Sequence, residues 1–306
     1  MVAKVFIDGE AGTTGLEIRE KLAARHDIEL VSIPTEKRKD NEAKRELLTQ
    51  VDAVVLCLPD DAAKEAAELV DTLGDNGPKV LDASTAHRVA AGWTYGFPEL
   101  TQDQPAAIAS AKRVANPGCY ATGAIGLLRP LIDAGLIPLD HRLTINAVSG
   151  YSGGGRKMIA EFESDHSPVF EVYGLGLEHK HIPEIVVHSR LIARPIFIPS
   201  VGNFRQGMIV CIPLFVDTLP GRPNGAAFRD ALAAHYADAE DIHVVEPVAS
   251  GRLDALAFNK TNEMELSVYE NEIRGETVLV ARLDNLGKGA SGAAVQNLEL
   301  MLGLAR

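Results

Sequence analysis

The sequence predicts an α/β protein in which a doubly wound parallel sheet is combined with an inserted α+β domain. Short strands alternate with helices in the first third of the chain, and strands with few helices fill the second half. An amphipathic helix lies at the C-terminal end. A chain of 306 residues is long enough for two domains, each with its own sheet.

In the first third of the chain, short β-branched apolar segments alternate with segments of helical periodicity. The predicted strands are KVFID (4–8), IELVSIP (28–34), VDAVVLCLP (51–59) and KVLDAS (79–84). The predicted helices between them are TTGLEIREKLAAR and DDAAKEAAELVDTLG. Near-continuous apolar strands separated by helices indicate a parallel sheet that is covered on both faces.

The second half is rich in strands and has one clear helix, PNGAAFRDALAAHYA (223–237). The predicted strands are RLTINAVSG (142–150), RLIARPIFIPS (190–200), GMIVCIPLFV (207–216), IHVVEP (242–247), MELSVYE (264–270) and TVLVARLDN (277–285). This order is typical of an α+β domain with a largely antiparallel or mixed sheet.

The last segment, SGAAVQNLELMLGL, predicts an amphipathic helix whose small residues permit close packing. We expect this helix to return to the first domain. The predicted organisation is therefore a first domain made of residues 1–118 and 285–306, with a second domain, residues 119–284, inserted into it.

Composition narrows the choice of partner. The net charge of −12 and the isoelectric point near 5.2 argue against nucleic acid or an anionic membrane, which a basic face would bind. No apolar run approaches the ~18 residues of a membrane helix, and no signal-peptide pattern is apparent. The three cysteines are widely spaced, so they predict neither disulfides nor a metal site, and a reducing cytoplasm is expected.

A glycine-rich loop follows the first predicted strand. Gly9, Gly12 and Gly15 are spaced G-x-x-G-x-x-G, a variant of the usual dinucleotide fingerprint. Glycines let the backbone approach a pyrophosphate, and the helix N-terminus attracts its charge; Thr13 and Thr14 could add hydroxyl donors. The alternative is an ordinary strand-to-helix turn, but the βαβ context favours a Rossmann-type nucleotide site.

In a dinucleotide-binding domain, residues at the end of the second strand recognise a ribose of the cofactor, and in this chain those residues are SIPTEKRKD. An NAD enzyme usually carries an acidic residue there, whereas this chain offers Ser32, Thr35, Lys37, Arg38 and Lys39. Hydroxyls and cations suit a 2′-phosphate, so the sequence favours NADP. The alternative is that EKRKDNEAKRE is a solvated charged loop.

Cys119 stands at the start of a predicted helix, in NPGCYATG. A thiol at a helix N-terminus can have its pKa lowered from ~8.5 to about 3.5–7.5, which makes it a nucleophilic thiolate. A structural cysteine at a cap is the alternative. Cys57 and Cys211 lie inside apolar strands, so we interpret them as buried small hydrophobic residues.

The segment GLEHKHIPEI supplies the expected partner of the thiol. His179 and His181 are two residues apart, which would place both on one face of an extended segment. A metal pair lacks a third ligand, so an acid/base role is favoured over a metal site. General-base logic together with the family resemblance described below assigns that role to His181 and leaves His179 as structural. The remaining histidines considered lie on segments that read as peripheral: His26, His141, His235 and His243.

Three segments offer an anion pocket. SGYSGGGR presents Arg156 among small residues, and VGNFRQGM presents Arg205 beside Gly207. DASTAHR ends the fourth predicted strand and places Ser84 and Arg88 at the carboxyl edge of the sheet, where α/β sheets bind ligands. A guanidinium matches carboxylate or phosphate, although for any one of these arginines a surface salt bridge is a competing interpretation.

Taken together, these motifs resemble those of the N-acetyl-γ-glutamyl-phosphate reductases, in the shorter of two forms, within a wider group that includes aspartate-semialdehyde dehydrogenase. The resemblance runs nearly end to end through IDGEAGTTG, LPDDAAKE, DASTAHR, YGFPEL, NPGCYATG, SGYSGGGR, HKHIPEI, FRQGM and DNLGKGASGAAVQNLELMLG. Longer members have sequences like DLSADFR and GASGYTG where this chain has DASTAHR and its own glycine loop.

The resemblance implies NADPH-dependent reductive dephosphorylation of an acyl phosphate, with release of inorganic phosphate, in arginine biosynthesis. Cys119 would form a thioester and His181 would serve as acid/base. The segment DNLGKGASG would bring Asn285, Gly287 and Lys288 to the cofactor. Ser84 is assigned to the cofactor on separate grounds, because it lies at the carboxyl edge of the sheet. The family suggests dimers or tetramers formed through the second domain. Residues assigned to substrate binding are Arg88, Asn116, Ser149, Arg156 and Arg205.

Three other functions compete with this one. A sibling reductase would act on aspartyl phosphate or an aminoadipyl derivative. A cysteine hydrolase or acyltransferase would use the thiol and histidine but have no need of the glycine loop. A non-catalytic dinucleotide sensor would have no need of an activated thiol.

Overall fold

The computed structural model describes residues 2–38 and 40–305. The strands are β1 Ala3–Asp8, β2 Ile28–Val31, β3 Ala53–Leu56, β4 Lys79–Asp82, β5 Thr94–Tyr95, β6 Arg113–Ala115, β7 Thr144–Gly150, β8 Phe170–Val172, β9 Ile196–Gly202, β10 Met208–Phe215, β11 Ile242–Val245, β12 Met264–Asn271 and β13 Glu276–Leu283. The α-helices are α1 Thr13–Ala23, α2 Asn41–Leu48, α3 Asp60–Asp71, α4 Gln104–Ser110, α5 Cys119–Asp133, α6 Gly155–Phe162, α7 Ile182–His188, α8 Gly225–His235 and α9 Gly292–Leu302.

These elements form two compact units. The first unit runs to Pro117 and resumes at Ala290, and the second comprises Gly118–Gly289. The first unit contains a six-stranded sheet in the order β2-β1-β3-β4-β6-β5, in which every pair of neighbours is parallel. The predicted doubly wound α/β architecture is confirmed.

The strands of this sheet are apolar throughout because both faces are covered. In β1, Val5 and Ile7 pack into the cluster that contains α1 and α9, whereas Phe6 packs into the cluster that contains α2 and α3. Alternate residues of a strand point to opposite faces, so a doubly covered strand has no polar face. The helix α9 contributes Ala294 and Leu298 to the first cluster.

Two details of the first unit differ from the sequence-based expectation. β2, β3 and β4 end at Val31, Leu56 and Asp82, each earlier than predicted. The charged segment considered as a solvated loop contains α2 instead, where Asp40 caps the helix by accepting hydrogen bonds from the backbone N–H groups of Glu42 (2.9 Å) and Ala43 (3.2 Å). Leu48 then anchors this helix in the core.

The second unit contains a seven-stranded mixed sheet in the order β11-β12-β13-β10-β7-β9-β8. The pairs β7–β9 and β11–β12 are parallel and the others are antiparallel. The predicted α+β class is confirmed, but the expectation of few helices is wrong, since α6 and α7 also lie in this unit.

The helix α5 packs closely on this sheet. A Cβ atom added at Gly123 would lie 2.8 Å from Cγ2 of Val210, and one added at Gly126 would lie 2.7 Å from Cε of Met264. Tyr236 donates a hydrogen bond from its hydroxyl to the carbonyl of Gly126 (2.8 Å), which joins α5 to the end of α8. The start of α5, which carries Cys119, is therefore fixed by packing along the whole helix.

No helix within residues 2–38 and 40–305 is both long enough and apolar enough to cross a bilayer.

Candidate active site and nucleotide cradle

The glycine loop of the first unit, residues 9–15, forms a cradle. At Gly9 and Gly15 the backbone leaves no room for a side chain. Gly9 has a φ of +92°, and a Cβ atom there would lie 2.3 Å from the carbonyl oxygen of Cys57. A Cβ atom at Gly15 would lie 2.6 Å from the carbonyl oxygen of Gly9. Gly12 is the N-cap of α1, and Thr13 is its first residue. The first N–H groups of a helix lack partners within it, so this geometry fits a dinucleotide phosphate.

A charged cluster lies beside the cradle. The Glu10 carboxylate accepts hydrogen bonds from Arg19 (2.5 Å), Arg38 (2.9 Å) and the Ser32 hydroxyl (3.1 Å). Ser32 and Arg38 were expected at a 2′-phosphate site, whereas Glu10 and Arg19 were missed by the sequence analysis. Arg19 lies two turns into α1, and only the packing of α1 beside β2 brings it to this place.

The other cations of this segment are not in the cluster. Lys37 is exposed at the end of a short 3₁₀ turn, Thr35–Lys37, and lines a hollow together with Ser32. Lys39, also named as a candidate, lies outside the described residues. The assignment of Lys37 to the 2′-phosphate stays a prediction.

The loop after β4 is organised by one buried carboxylate. Asp82 accepts hydrogen bonds from the backbone N–H and the hydroxyl of Ser84, both at 2.8 Å, and its Oδ2 lies 2.6 Å from Nδ1 of His87. The His87 ring stacks on Trp93 with ring centroids 4.0 Å apart. Ser84, a predicted cofactor contact, is 8% exposed and is held by this network.

Asn116 and Arg88 were both predicted to bind substrate. Both make hydrogen bonds to other residues of the first unit. Asn116 is 2% exposed; its amide nitrogen donates to the carbonyl of Ala290 (3.0 Å), and its amide oxygen accepts from Asn297 (3.0 Å). Arg88 donates from Nε to the carbonyl of Asn116 (3.0 Å). These contacts favour a structural role for Asn116, which fixes the turn that precedes the cysteine.

Cys119 is the first residue of α5, with Gly118 as the N-cap. The backbone N–H of Gly118 donates to Oε2 of Glu184 (3.0 Å), a carboxylate that is 1% exposed. A Cβ atom at Gly289 would lie 2.8 Å from Cβ of Cys119, so a side chain at that position would collide with the cysteine. The predicted helix N-terminal setting of the thiol is what the structure contains.

His181 is 4% exposed and is the N-cap residue of α7, with φ −84° and ψ −12°. The expectation that it lies in an extended segment is therefore wrong. Pro183 fits the first turn of a helix, where its missing N–H costs nothing, and this signal was overlooked. Glu184, three residues after His181, binds Gly118, and Tyr120 has its ring centroid 5.8 Å from that of His181. Both neighbours of Cys119 thus contact the His181 segment.

His179 and two tyrosines form a row beside His181. The backbone N–H of His181 donates to Nδ1 of His179 (3.2 Å), and Nε2 of His179 lies 3.5 Å from the Tyr173 hydroxyl. Tyr173 donates to the Tyr120 hydroxyl (3.3 Å), which donates to the carbonyl of Ser200 (2.8 Å). Burial raises the pKa of Tyr173 to about 12 and raises that of Tyr120 further, so both stay protonated at neutral pH. This row supports the structural role predicted for His179.

The turn that carries Arg156 and the turn that carries Arg205 lie close together in the second unit. Arg156 is exposed in the first turn of α6, and Arg205 precedes β10, where it pairs with Glu163 (3.1 Å). The turn at Arg205 crosses Gly150 so closely that a Cβ there would lie 2.6 Å from the Arg205 carbonyl carbon. Ser149, one residue earlier, is 2% exposed and donates to the carbonyl of Gly150 (3.2 Å).

Residues 284–292 were predicted to contact the cofactor. As far as Gly289, polar side chains of this segment make hydrogen bonds and ion pairs within the second unit. Asn285 accepts a hydrogen bond from the N–H of Gly207 (2.8 Å) and donates to the Ser152 hydroxyl (3.0 Å), so it ties the two arginine-bearing turns together. Lys288 is 1% exposed, with Nζ 3.9 Å from Asp241. Gly287 passes so close to the carbonyl of Thr261 that a Cβ would lie 1.9 Å away. Cofactor contacts from these residues stay predictions.

The surroundings of the other two thiols, Cys57 and Cys211, disfavour the ionised form that acts as a nucleophile. Burial, with Asp82 and Asp8 nearby, raises the pKa of Cys57 to about 12, and burial also raises the pKa of Cys211. Both are partly buried, whereas full burial was expected. In the described residues, no group of three or more histidine, cysteine, aspartate or glutamate side chains could hold a metal ion.

We expect iodoacetamide at neutral pH to alkylate Cys119 well before Cys57 and Cys211. The thiolate is the reactive form, and a raised pKa keeps the other two thiols protonated. Peptide mass spectrometry of timed samples measures the three rates, and the denatured protein, in which all three should react alike, is the control. Equal rates in the native protein would contradict a special environment at Cys119.

The fold and the site together define a protein of the semialdehyde dehydrogenase class. Residues 4–108 match the family's NAD binding domain, and residues 119–285 match its dimerisation domain. Aspartate semialdehyde dehydrogenase from Francisella tularensis superposes with a TM-score of 0.74 at 13% identity, covering 99% of this chain and 100% of that one. Aspartate semialdehyde dehydrogenase II from Vibrio cholerae gives 0.72 at 14% identity, with 99% of each chain covered. At such identity these structures establish the fold alone.

The chain belongs to the N-acetyl-gamma-glutamyl-phosphate reductase family. A relative of that name from Chelativorans sp. is 52% identical over 309 residues, which cover 99% of each chain. Another from Brucella suis is 51% identical over 311 residues, covering 99% of this chain and all of that one. The resemblance drawn from the sequence motifs is confirmed.

Proposed function

We propose that this chain reduces N-acetyl-L-glutamyl 5-phosphate to N-acetyl-L-glutamate 5-semialdehyde with NADPH, releasing inorganic phosphate, as a step of arginine biosynthesis. The observation that carries the proposal is Cys119 at the N-terminus of α5, with its two neighbours in contact with the segment of His181. The family of the chain supports the choice of substrate.

Cys119 is the proposed nucleophile. Its thiolate attacks the acyl carbon of the substrate, a carbon–sulfur bond forms, and the bond from that carbon to the phosphate oxygen breaks. Phosphate leaves with the electron pair, and the acyl group remains as a thioester. The N-terminal end of α5 attracts negative charge, which favours the thiolate before the attack and after the final release.

When bound, NADPH supplies the hydride that reduces the thioester. His181 is the proposed acid/base: it holds a proton for the oxygen of the resulting tetrahedral adduct and takes it back as the carbon–sulfur bond breaks. The aldehyde then leaves, and Cys119 returns to its thiolate. His181 is 4% exposed, so its ring has little contact with bulk water in the free protein.

Arg156 and Arg205 are proposed to hold the anionic groups of the substrate. A guanidinium binds carboxylate or phosphate through two parallel hydrogen bonds. Arg205 would exchange the Glu163 carboxylate for the substrate, and its side chain is 53% exposed, so the substrate can reach it. Asn285 keeps the turns that carry both arginines in register.

We also propose that the chain works as a homo-oligomer in the cytoplasm, as a dimer or tetramer formed through the second unit. That unit matches a dimerisation domain, and its sheet exposes large apolar side chains such as Phe170, Ile196 and Phe215. Isolated exposed apolar side chains are ordinary, but several on one sheet indicate a surface that a second copy covers.

The function is tested in reverse, because the acyl phosphate is unstable. The protein is mixed with N-acetylglutamate 5-semialdehyde and NADP, NADPH absorbance is followed, and inorganic phosphate is then added. We expect a phosphate-dependent rise. A parallel reaction contains aspartate semialdehyde, for which we expect no rise. A rise with aspartate semialdehyde alone would assign the chain to a sibling reductase, and no rise in either reaction would favour a thiol hydrolase.

A further inference from the structure

Glu10 lies at the centre of a compact ion cluster next to the glycine cradle. Its carboxylate is 17% exposed and binds Arg19 through one oxygen and Arg38 through the other. Ser32 donates to the oxygen that Arg19 also binds, and Arg19 lies 3.0 Å from the Ser32 hydroxyl. Two guanidinium groups and one hydroxyl thus converge on a single anionic group.

This donor set is that of a phosphate site. Guanidinium groups and hydroxyls are the groups that bind phosphate oxygens through short, charge-assisted hydrogen bonds. Two members of the cluster, Ser32 and Arg38, follow β2, and the residues after the second strand of a dinucleotide-binding fold recognise the ribose. The side chains of Arg19 and Arg38 are 44% and 39% exposed, so an anion from solvent can reach both.

We infer that Glu10 is an internal counter-ion of the 2′-phosphate site, and that Arg19 belongs to that site together with Arg38 and Ser32. The Glu10 carboxylate holds the donors in place in the free protein and gives them up when the 2′-phosphate binds. This inference rests on the proposed use of NADPH. It assigns to Glu10 and Arg19 a role in choosing the cofactor.

Two consequences follow from the charges. First, the carboxylate competes with the phosphate, so the apparent affinity for NADPH is reduced by the fraction of molecules in which Glu10 occupies the donors. Second, NADH has no 2′-phosphate, so its binding leaves Glu10 paired with Arg19 and Arg38. Loss of the Glu10 charge should therefore strengthen the binding of NADPH and leave that of NADH unchanged.

The test measures dissociation constants by titration calorimetry, which needs no turnover. The variants are Glu10→Gln and Arg19→Gln, with Glu20→Gln and Lys21→Gln as charge-matched controls on α1. Each protein is titrated with NADPH, with NADH, and with the fragments adenosine 2′,5′-bisphosphate and AMP. The fragment pair isolates recognition of the 2′-phosphate from the rest of the nucleotide.

For Glu10→Gln we expect the dissociation constants of NADPH and of the bisphosphate to fall roughly fivefold or more. Those of NADH and AMP should not change. Arg19→Gln should raise the constants of the phosphorylated ligands by a similar factor, and the controls should match the wild type. Should Glu10→Gln fail to fold, Glu10→Asp shortens the carboxylate's reach, and the change is expected in the same direction.

An unchanged or weakened affinity of Glu10→Gln for NADPH would overturn the inference, as would equal changes for NADPH and NADH. The failure of the proposed function looks different. In that case the wild-type protein would bind neither nucleotide, or would bind both without preference, before any variant is compared.

Discussion

Cys119→Ser is expected to abolish turnover while NADPH still binds with wild-type affinity. Removal of a covalent nucleophile costs an enzyme on the order of 10⁴–10⁶ in kcat, because the route through the covalent intermediate is closed. A serine hydroxyl is not ionised at neutral pH, so the helix N-terminus of α5 gives it no comparable advantage. The reverse assay measures turnover, and calorimetry measures nucleotide binding.

The matched control is Cys211→Ser, which makes the same change at a partly buried thiol of β10. This variant should keep its activity. A Cys119→Ser variant with near-wild-type turnover would exclude the thioester route. If Cys119→Ser lost both its activity and its folded state, seen as a lowered melting temperature, Cys119→Ala would serve as a second test. That variant must also lack turnover.

His181→Asn is expected to lower kcat by ~10²–10⁴, the usual contribution of one acid/base group. Asparagine is a suitable test residue because His181 is the N-cap of α7, and asparagine is among the best N-cap residues. The carbonyl of residue 181 would still accept the hydrogen bond from Ile185 (3.0 Å). The amide cannot take up or release a proton at neutral pH, so the chemical step should slow without loss of the helix.

A pH profile separates a proton-transfer role from a positional one. In the wild type, kcat should depend on one ionisation that the His181→Asn variant lacks, and the Michaelis constant should change little. His26→Asn, at an exposed histidine of the first unit, is the control and should keep the wild-type profile. A variant profile that only shifts downward, with its shape preserved, would contradict acid/base catalysis by His181.

Much of the fold could be predicted from the sequence because its determinants are local. The strands of the first unit have apolar residues on both faces, and this pattern by itself indicates a parallel sheet between two helical layers. The glycine spacing likewise predicted the cradle, since the backbone angle at Gly9 and the close approach at Gly15 exclude a side chain. Cys119 was identified because the NPG turn marks a helix start.

Elements whose stability depends on capping were harder to predict. The segment of α2 is rich in charge, which is typical of a loop. It is helical because Asp40 caps its N-terminus and the buried side chain of Leu48 anchors it in the core. The start of α7 looked extended because histidine and proline are poor helix formers within a helix. Proline is nevertheless favoured in the first turn, and this placed His181 at a cap.

The sequence by itself therefore determined the two sheets, the nucleotide loop and the thiol at its helix terminus, all from neighbours along the chain, and the resemblance of its motifs identified the family. Only the tertiary structure decided which distant charges meet. Glu184 reaches the N–H of Gly118 across 66 residues, and Glu10 gathers Arg19 and Arg38. Charged side chains show no periodicity that reveals a partner, because their pairing depends on where helices pack, and packing is set by the apolar residues around them.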